Sequence, residues 1–416
     1  QVAFEVINSR NALSGAGSDG LRFSHLQSII RTQFGQEHFG VGIEAFWRRM
    51  VDEPDAFPPE FWELFLQSNL TALGGKCRPV CVGMTWRRLI AAATMREWRP
   101  RMEELNLEAR QYGVGVSGGV EHVALRARIH HEAGNWKIQT DASNAFNSVL
   151  RKPMLEQVAA CTPALTGFVA KCYGERPASV FFQMDSGERA KLECSRGVQQ
   201  GDAMGPALFC LPLRPVLTRV REEYELQAVE AYAYLDDITI AAGEISPRTV
   251  GVVSFLEREL IARGIHLNPG KTVASAPKGH VPTPEEISLL AGVGVRIADE
   301  GGIKVVGVPV GTDEYAIESA IGIVREGGAE QLARMLPRMP DKQAANLIAT
   351  GSMVQRTAYV ERVMDPRLSL PACRRADNGA MWMLENLLEL PGTAEESSFF
   401  EEGCMAERLT LLPHQL

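Results

Sequence analysis

Two adjacent aspartates, Asp236 and Asp237, are the residues of this chain whose type and spacing point most directly to chemistry. They lie between two apolar segments of strand-forming residues, in the stretch from Ala231 to Ala242. This pattern predicts a hairpin whose strands are buried and whose turn presents two negative charges. Adjacent ionised carboxylates repel each other, and a divalent metal ion bound by oxygen ligands is the usual counter-charge. An exposed turn that simply favours Asp is the alternative at this point.

A third candidate carboxylate, Asp141, lies in the segment from Trp136 to Val149. The pattern predicts a strand that ends at Asp141, followed by a turn or the start of a helix with Ser143 and Asn144 as capping residues. An N-cap role for Asp141 is the structural alternative to a chemical one.

A glycine-rich loop begins at Ser195 and opens an apolar helix predicted from Ala207 to about Val220. Glycines in such a loop allow a ligand to approach the backbone closely, although a glycine-rich loop alone is more often a turn than a binding site. Two later segments also stand out. Gly264–Thr272 carries a lysine and follows a predicted helix, and Val305–Gly311 has the pattern of a short hairpin.

Basic residues are concentrated between Lys76 and Arg101, a stretch that contains seven Lys and Arg residues and only one acidic residue, Glu97. From Met84 onward the stretch is compatible with a helix. So local an excess of arginine in an acidic chain suggests a site for phosphate groups. A solvated helical face is the alternative.

Composition is that of an ordinary globular chain with enough residues for two or three subdomains. The 416 residues carry a net charge of −8, which counts against a protein that coats nucleic acid. No apolar run approaches the ~20 residues that a membrane span needs. The eight cysteines are scattered, which predicts neither a disulfide framework nor a zinc site. Because the chain does not begin with Met, we expect it to be part of a longer protein.

Taken together in order, these motifs make the chain resemble the reverse transcriptases, most closely those of non-LTR (LINE-like) retrotransposons. The resemblance runs from about Ser18 to the end, and it rests on several colinear segments rather than on one. The segments are Ser18–Leu21, Lys76–Val80, Gln111–Gly119, Asp141–Phe146, Gly197–Pro206, Tyr234–Asp237, Gly264–Thr272 and Val305–Gly311.

The resemblance implies an RNA-dependent DNA polymerase that adds dNTPs to the 3′ end of a primer. It implies two Mg²⁺ ions, which Mn²⁺ could replace, about 3.5–4 Å apart and stabilising the attacking and leaving oxygens. The residues that it assigns are Asp141 and Asp236 as bridging metal ligands, Asp237 as a nearby ligand, Lys271 near the leaving group, Lys76, Arg78, Gln200 and Gly201 at the nucleotide, and Gly307, Val308 and Pro309 as the primer grip.

The resemblance also implies a right-hand polymerase of the α+β class, with a small antiparallel palm sheet backed by helices and a helical thumb. We expect fingers over residues 1–135, a palm over 136–312, and a thumb with a C-terminal extension over 313–416. Helical segments are predicted in the fingers near Val41–Val51, Glu60–Leu70 and Met84–Leu105. The implied partners are an RNA template and a DNA or RNA primer, with possible flanking domains and no membrane. The implied location is intracellular, in nucleus and cytoplasm for a eukaryotic retroelement.

Two other functions share these motifs. One is a decayed or domesticated element that binds RNA without polymerising, which the intact Asp141, Asp236 and Asp237 argue against. The other is an RNA-templated RNA polymerase. Phe146 argues against this second reading, because reverse transcriptases resemble one another in an aromatic residue at this position that leaves no room for a 2′-hydroxyl. A core aromatic is the structural alternative for Phe146.

Overall fold

The computed structural model describes residues 2–73, 78–174, 176–224, 228–268, 270–299 and 301–388. Structural statements below concern these residues. None of the helices in these ranges is long and apolar enough to cross a membrane.

Helices and strands are mixed along the chain, which confirms the predicted α+β class. The α-helices are α1 (Val2–Ser9), α2 (Phe23–Ile30), α3 (Gly40–Asp52), α4 (Pro59–Phe65), α5 (Thr85–Glu108), α6 (Gly119–Glu132), α7 (Ala145–Ser148), α8 (Arg151–Cys161), α9 (Thr166–Tyr173), α10 (Gly205–Cys210), α11 (Arg214–Tyr224), α12 (Pro247–Ala262), α13 (Pro284–Gly292), α14 (Asp313–Glu326), α15 (Ala329–Met335), α16 (Lys342–Ile348), α17 (Ala358–Val363) and α18 (Pro366–Leu387). The strands are β1 (Ser68–Leu73), β2 (Arg78–Gly83), β3 (Trp136–Gln139), β4 (Ala142–Ser143), β5 (Ala178–Gln183), β6 (Arg189–Cys194), β7 (Val229–Tyr234), β8 (Asp237–Ala242), β9 (His266–Leu267), β10 (Val273–Ser275), β11 (Arg296–Ile297), β12 (Gly302–Val305) and β13 (Val308–Gly311).

Two compact units divide the chain. The first comprises Gln1–Gly119, Thr140–Ile240 and Pro247–Thr272, and the second comprises Val120–Gln139, Ala241–Ser246 and Val273–Leu416. The expected division into fingers, palm and thumb stays a prediction.

A four-stranded sheet in the first unit has the order β2-β1-β5-β6. Strand β1 pairs antiparallel with β2 from Ser68–Gly83 to Leu73–Arg78, and it pairs parallel with β5. The prediction of a helix through Leu70 is therefore wrong beyond Phe65, where α4 ends. Pairing with β5, whose residues lie more than 100 positions away, is a long-range interaction that overrides the local helical pattern.

Large aromatic side chains fill the core of the first unit. Burying one such side chain stabilises a fold by about 1.5–3 kcal/mol, so this group anchors the helices against the strands. Those that are almost fully buried are Phe23, Trp47, Phe168, Tyr173, Phe209 and Tyr232.

The second unit contains strands β11, β10 and β3 side by side, followed by the hairpin of β12 and β13. The turn of that hairpin, Val306 and Gly307, has positive φ at both positions, as in the tight turns that join two strands. This confirms the hairpin predicted over Val305–Gly311. Helices α14 to α18 follow and share one apolar core, to which Ala320, Val363 and Met383 contribute.

A buried ion pair lies inside the first unit. Arg87, on α5, donates to Asp202 Oδ2 at 2.9 Å, and both side chains are 3% exposed. The same oxygen accepts a hydrogen bond from Tyr173 Oη at 2.7 Å, and Asp202 Oδ1 accepts one from the Met204 N–H at 3.0 Å. Arg87 also donates to the Leu66 carbonyl. The two buried charges thus neutralise each other, and both side chains have further hydrogen-bond partners, as buried charges require.

We expect Arg87→Met to lower the free energy of unfolding by about 3–5 kcal/mol, because Asp202 is left as a buried charge without its cation. Urea denaturation measures the loss. Arg96→Met is the matched control, since Arg96 lies on the same helix and pairs with Glu5 at 2.8 Å on the surface. Its expected cost is about 0–1 kcal/mol. Equal losses in the two variants would contradict a stabilising role for the buried pair.

Candidate active site

The paired aspartates lie where the sequence pattern predicts, at the turn between β7 and β8. Leu235 and Asp236 form the turn, and Asp237 is the first residue of β8. Leu235 has φ +58°, in the left-handed region that a branched side chain seldom adopts. The side-chain amide of Gln111 hydrogen-bonds both backbone groups of Leu235. The hairpin prediction is confirmed.

Asp141 lies beside this hairpin because the chain just before it is bonded to β8. The Thr140 N–H donates to the Ile238 carbonyl at 2.9 Å, and the Thr140 hydroxyl donates to the same oxygen. Since Ile238 directly follows Asp237, these bonds bring Asp141 next to the paired aspartates.

Electrostatics show that the three carboxylates interact. Burial first, and then the negative charges of Asp236 and Asp141, together raise the pKa of Asp237 to about 6. The pKa of Asp236 is also raised, first by burial and then by Asp141, whereas the guanidinium of Arg78 acts to lower it. A cation bound here would relieve both the burial and the repulsion.

Lys271 lies beside Asp141, with its Nζ 3.6 Å from Asp141 Oδ2. Two backbone features hold it there. Strands β4 and β9 pair antiparallel, and the Asn268 N–H donates to the Asp141 carbonyl at 2.7 Å. The structure thus brings together Lys271 and Asp141, which the sequence analysis grouped only by resemblance.

The glycine-rich loop connects two other parts of the site. On one side the Cys81 N–H of β2 donates to the Gln200 carbonyl at 2.7 Å. Gly201 has φ +107°, and a Cβ there would come within 2.4 Å of the Cys81 carbonyl oxygen, so glycine is required. On the other side the Val198 N–H donates to the Phe146 carbonyl at 2.8 Å. Gln200 and Gly201 are therefore held between the strand that begins with Arg78 and the segment that carries Phe146.

Phe146 is half-buried and stacks on Phe209, with ring centroids 4.5 Å apart and an interplanar angle of 11°. Phe209 lies on α10 and is completely buried. The Phe146 ring is consequently supported from one side by a rigid core residue.

The donor set fits divalent cations. Among the described residues no three His, Cys, Asp or Glu side chains converge into a ready-made cage for a metal ion. Such a cage is not what Mg²⁺ needs, because it usually takes one or two carboxylates and completes its shell with water and substrate phosphates. Three neighbouring carboxylates with two raised pKa values provide ligands of that kind.

The remaining predicted site residues are Lys76 and the three residues of the predicted primer grip. Lys76 is outside the described residues. Gly307, Val308 and Pro309 belong to the second unit, where Gly307 is exposed at the turn and the other two are buried in β13. Their predicted roles stay predictions.

The basic stretch is largely committed to contacts within the first unit. Arg87 is buried against Asp202, Arg96 pairs with Glu5, and Arg101 pairs with Glu104. Arg78 is exposed at the start of β2, and its positive charge acts to lower the pKa of Asp236. The hypothesis of a phosphate site over the whole stretch is therefore wrong for Arg87, whose charge Asp202 already neutralises.

Three residues of the site were not singled out from the sequence: Gln111, Asp202 and Phe209. Gln111 stood inside the recognised segment Gln111–Gly119, but only the fold brings its amide to Leu235. Asp202 lies within the glycine-rich loop, and Phe209 lies on the helix that follows it. A buried aspartate and a supporting phenylalanine have the same sequence signal as any loop polar residue and any helix core residue.

We expect the acidic site to destabilise the metal-free chain above pH 6. The pKa of Asp237 is about 6 in the folded chain and 3.8 ordinarily. The folded state therefore binds more protons between these values, and its stability falls as the pH rises through them. In EDTA, Asp237→Asn should have a higher Tm than the parent at pH 7, and the difference should vanish toward about pH 4.

Thermal unfolding of both proteins between about pH 4 and 7 tests this expectation. Asp185→Asn, in an exposed turn, is the control and should follow the parent at every pH. Parallel curves for the parent and Asp237→Asn would contradict the raised pKa.

Comparisons with known proteins agree with these motifs. The model of the reverse transcriptase (RNA-dependent DNA polymerase) family matches residues 72–310. The chain is 29% identical over 185 residues to the retrotransposable element SLACS 132 kDa protein of Trypanosoma brucei gambiense, a match covering 42% of this chain and 15% of that protein. The chain therefore spans a small part of this curated relative. These matches confirm the resemblance to reverse transcriptases of the non-LTR retrotransposon type.

Solved structures with some likeness include two yeast telomerases. Apo telomerase from Candida tropicalis has a TM-score of 0.44 at 12% identity, covering 85% of this chain and 63% of that chain. Telomerase from Candida albicans in complex with the TWJ fragment of telomeric RNA has a TM-score of 0.45 at 10% identity, covering 83% and 64%. Both TM-scores are below 0.5.

The family match covers more than half of the chain and includes Asp141, the glycine-rich loop and the Asp236–Asp237 hairpin. The right-hand polymerase class expected above is that of this family. The chain belongs to the reverse transcriptase family, the RNA-directed DNA polymerases.

Proposed function

We propose that this chain is the polymerase part of a longer retroelement protein, and that it copies an RNA template by adding dNTPs to the 3′ end of a DNA or RNA primer. The observation that carries the proposal is the position of Asp141 beside the Asp236–Asp237 turn, which the hydrogen bond from Thr140 to Ile238 fixes. There the charge of Asp141 raises the pKa values of both Asp236 and Asp237. The match to a small part of a much longer retrotransposon protein supports a place among flanking domains.

Asp141, Asp236 and Asp237 would hold two Mg²⁺ ions, for which Mn²⁺ could substitute. Such ions, when bound, stabilise the attacking and leaving oxygens of an in-line displacement at phosphorus. Lys271, next to Asp141, would neutralise charge near the leaving group or donate a proton there. Its ammonium is exposed and can reorient when a substrate binds.

The nucleotide would bind against β2 and the glycine-rich loop. The charge of Arg78 acts on the pKa of Asp236, so the guanidinium is near this carboxylate. An anionic triphosphate bound to cations at the carboxylates would therefore contact Arg78. Lys76 would add a second cation. The backbone of Gln200 and Gly201 is anchored to β2 and offers a rigid surface for the nucleotide.

Phe146 would select the sugar. Its ring is fixed by the stack on Phe209, and a fixed ring cannot move aside for a 2′-hydroxyl that it cannot hydrogen-bond. Gly307, Val308 and Pro309, in the tight hairpin of the second unit, would grip the primer. We further propose the fingers, palm and thumb division at residues 135 and 312, and an intracellular site of action, in nucleus and cytoplasm.

We expect Asp141→Asn or Asp236→Asn to reduce DNA synthesis by about 10³-fold or more, since each removes a charge that the two cations need. Primer extension on poly(rA)/oligo(dT) with Mg²⁺ measures this. Asp52→Asn, at an exposed helix end, is the control and should keep the parent's activity. A parent protein that binds RNA but extends no primer would favour the RNA-binding remnant instead.

We expect Phe146→Val to raise the rNTP/dNTP ratio of kcat/KM by about 10–100-fold, because the smaller side chain opens space at C2′. Dividing the two efficiencies cancels any general loss of turnover. Phe182→Val, half-buried on β5, makes the same change elsewhere and should leave the ratio unmoved. A parent that uses both sugars equally, or a ratio that does not change, would make Phe146 an ordinary core residue.

A further inference from the structure

We propose that Gln111 is a positioning residue for the catalytic hairpin: its side-chain amide fixes the turn that presents Asp236 and Asp237. This inference rests on the proposed polymerase function, in which these two carboxylates hold the cations. Gln111 itself touches neither carboxylate in the described contacts. It acts through the backbone of Leu235, the residue directly before them.

One planar amide satisfies both backbone groups of Leu235. The Leu235 N–H donates to Gln111 Oε1 at 2.7 Å, and Gln111 Nε2 donates to the Leu235 carbonyl at 2.9 Å. The Gly113 N–H also donates to Gln111 Oε1, at 3.1 Å. The amide thus mimics a paired strand residue at the position where the hairpin's own ladder is interrupted by the turn.

The turn needs such a hold because Leu235 is strained. Its φ of +58° is one that glycine adopts freely and that a leucine adopts only under constraint from its surroundings. The tight turn at Val306 and Gly307 contains a glycine, whereas the turn at Leu235 and Asp236 contains none. A small change at Leu235 would rotate the peptide that leads directly into Asp236.

Gln111 is itself rigidly held. Its side chain and backbone are completely buried, and its N–H donates to the Asn106 carbonyl at 2.8 Å. The chain on either side of Gln111 runs parallel to β7, with the Tyr112 N–H bonded to the Ala233 carbonyl and the Ala233 N–H bonded to the Arg110 carbonyl. The amide is therefore delivered by a strand-like segment that cannot shift independently of the hairpin.

Gly113 is the second requirement of this arrangement. A Cβ at Gly113 would come within 2.6 Å of the Leu235 nitrogen and 2.8 Å of the Leu235 side chain. Glycine therefore permits the close approach that Gln111 uses. The pair explains in physical terms why a glutamine and a glycine stand two residues apart here.

The two hydrogen bonds to Leu235 require an amide side chain in particular. A carboxylate can accept from the Leu235 N–H but has no hydrogen to donate to the Leu235 carbonyl, and it would add negative charge near three carboxylates. A methionine fills a similar volume but can do neither. These differences allow the hydrogen bonds to be separated from simple packing.

The test compares Gln111→Met with Gln27→Met. Gln27 is a matched control, because it is also buried in the first unit and its Nε2 donates to the Ile7 and Arg10 carbonyls, far along the chain from the hairpin. Hydrogen exchange of a peptide containing Leu235, kcat and KM for dNTP, and Mn²⁺ binding by electron paramagnetic resonance are measured on each protein.

For Gln111→Met we expect faster exchange at Leu235, weaker Mn²⁺ binding, and a kcat lower by about 10–100-fold with KM for dNTP little changed. Gln27→Met should lose stability without these effects. Parent-like exchange and kcat in Gln111→Met would overturn the proposal. So would equal losses of kcat in both variants, because general destabilisation would then explain them.

If Gln111→Met does not fold, Gln111→Asn decides. Its amide is one methylene shorter and cannot reach both backbone groups of Leu235, so we expect faster exchange at Leu235 and a lower kcat; a parent-like kcat would overturn the proposal. A parent protein that extends no primer would instead refute the polymerase function. Exchange at Leu235 would still show whether Gln111 holds the turn.

Discussion

Asp141, Asp236 and Asp237 repel one another, and burial raises the pKa of two of them, so keeping them close costs free energy that the surrounding fold must supply. The first unit supplies it mainly through backbone hydrogen bonds. Thr140 ties the segment before Asp141 to β8, and Asn268 ties the Asp141 carbonyl to the segment that carries Lys271. Because these bonds involve the backbone, the carboxylates themselves stay available for cations.

The same constraint explains the strained turn. A hairpin that ended in a relaxed glycine turn would be easier to form, but it would fix the orientation of Asp236 and Asp237 less firmly. Leu235 in the left-handed region, clamped by the Gln111 amide, exchanges some stability for a fixed orientation. Strain of this kind is typical of functional sites, where the surrounding structure over-determines an unfavourable conformation.

A buried polar network supports the other side of the site. Asp202 directly follows Gly201, and its bonds to Arg87 and Tyr173 anchor the end of the glycine-rich loop in the core. The loop in turn bonds β2 through Gln200 and the Phe146 segment through Val198. The positions of the Phe146 ring and of β2, which begins with Arg78, are thus coupled through one loop that a buried ion pair anchors.

Local sequence patterns determined the hairpin that carries Asp236 and Asp237, the hairpin at Val305–Gly311 and the α+β class, because alternating apolar residues and turn-forming residues act over a few positions. Colinear motifs also identified the family and grouped Asp141 with Asp236 and Asp237. Only the tertiary structure decided that Arg87 is a buried core residue and that Arg78 is exposed, since the two arginines look alike in sequence. It also decided that the residues from Ser68 onward form a strand, that Gln111 bonds the turn at Leu235, and that Phe209 stacks on Phe146. These outcomes depend on partners 115 residues away for Arg87 and 124 residues away for Gln111, and no local pattern records such contacts.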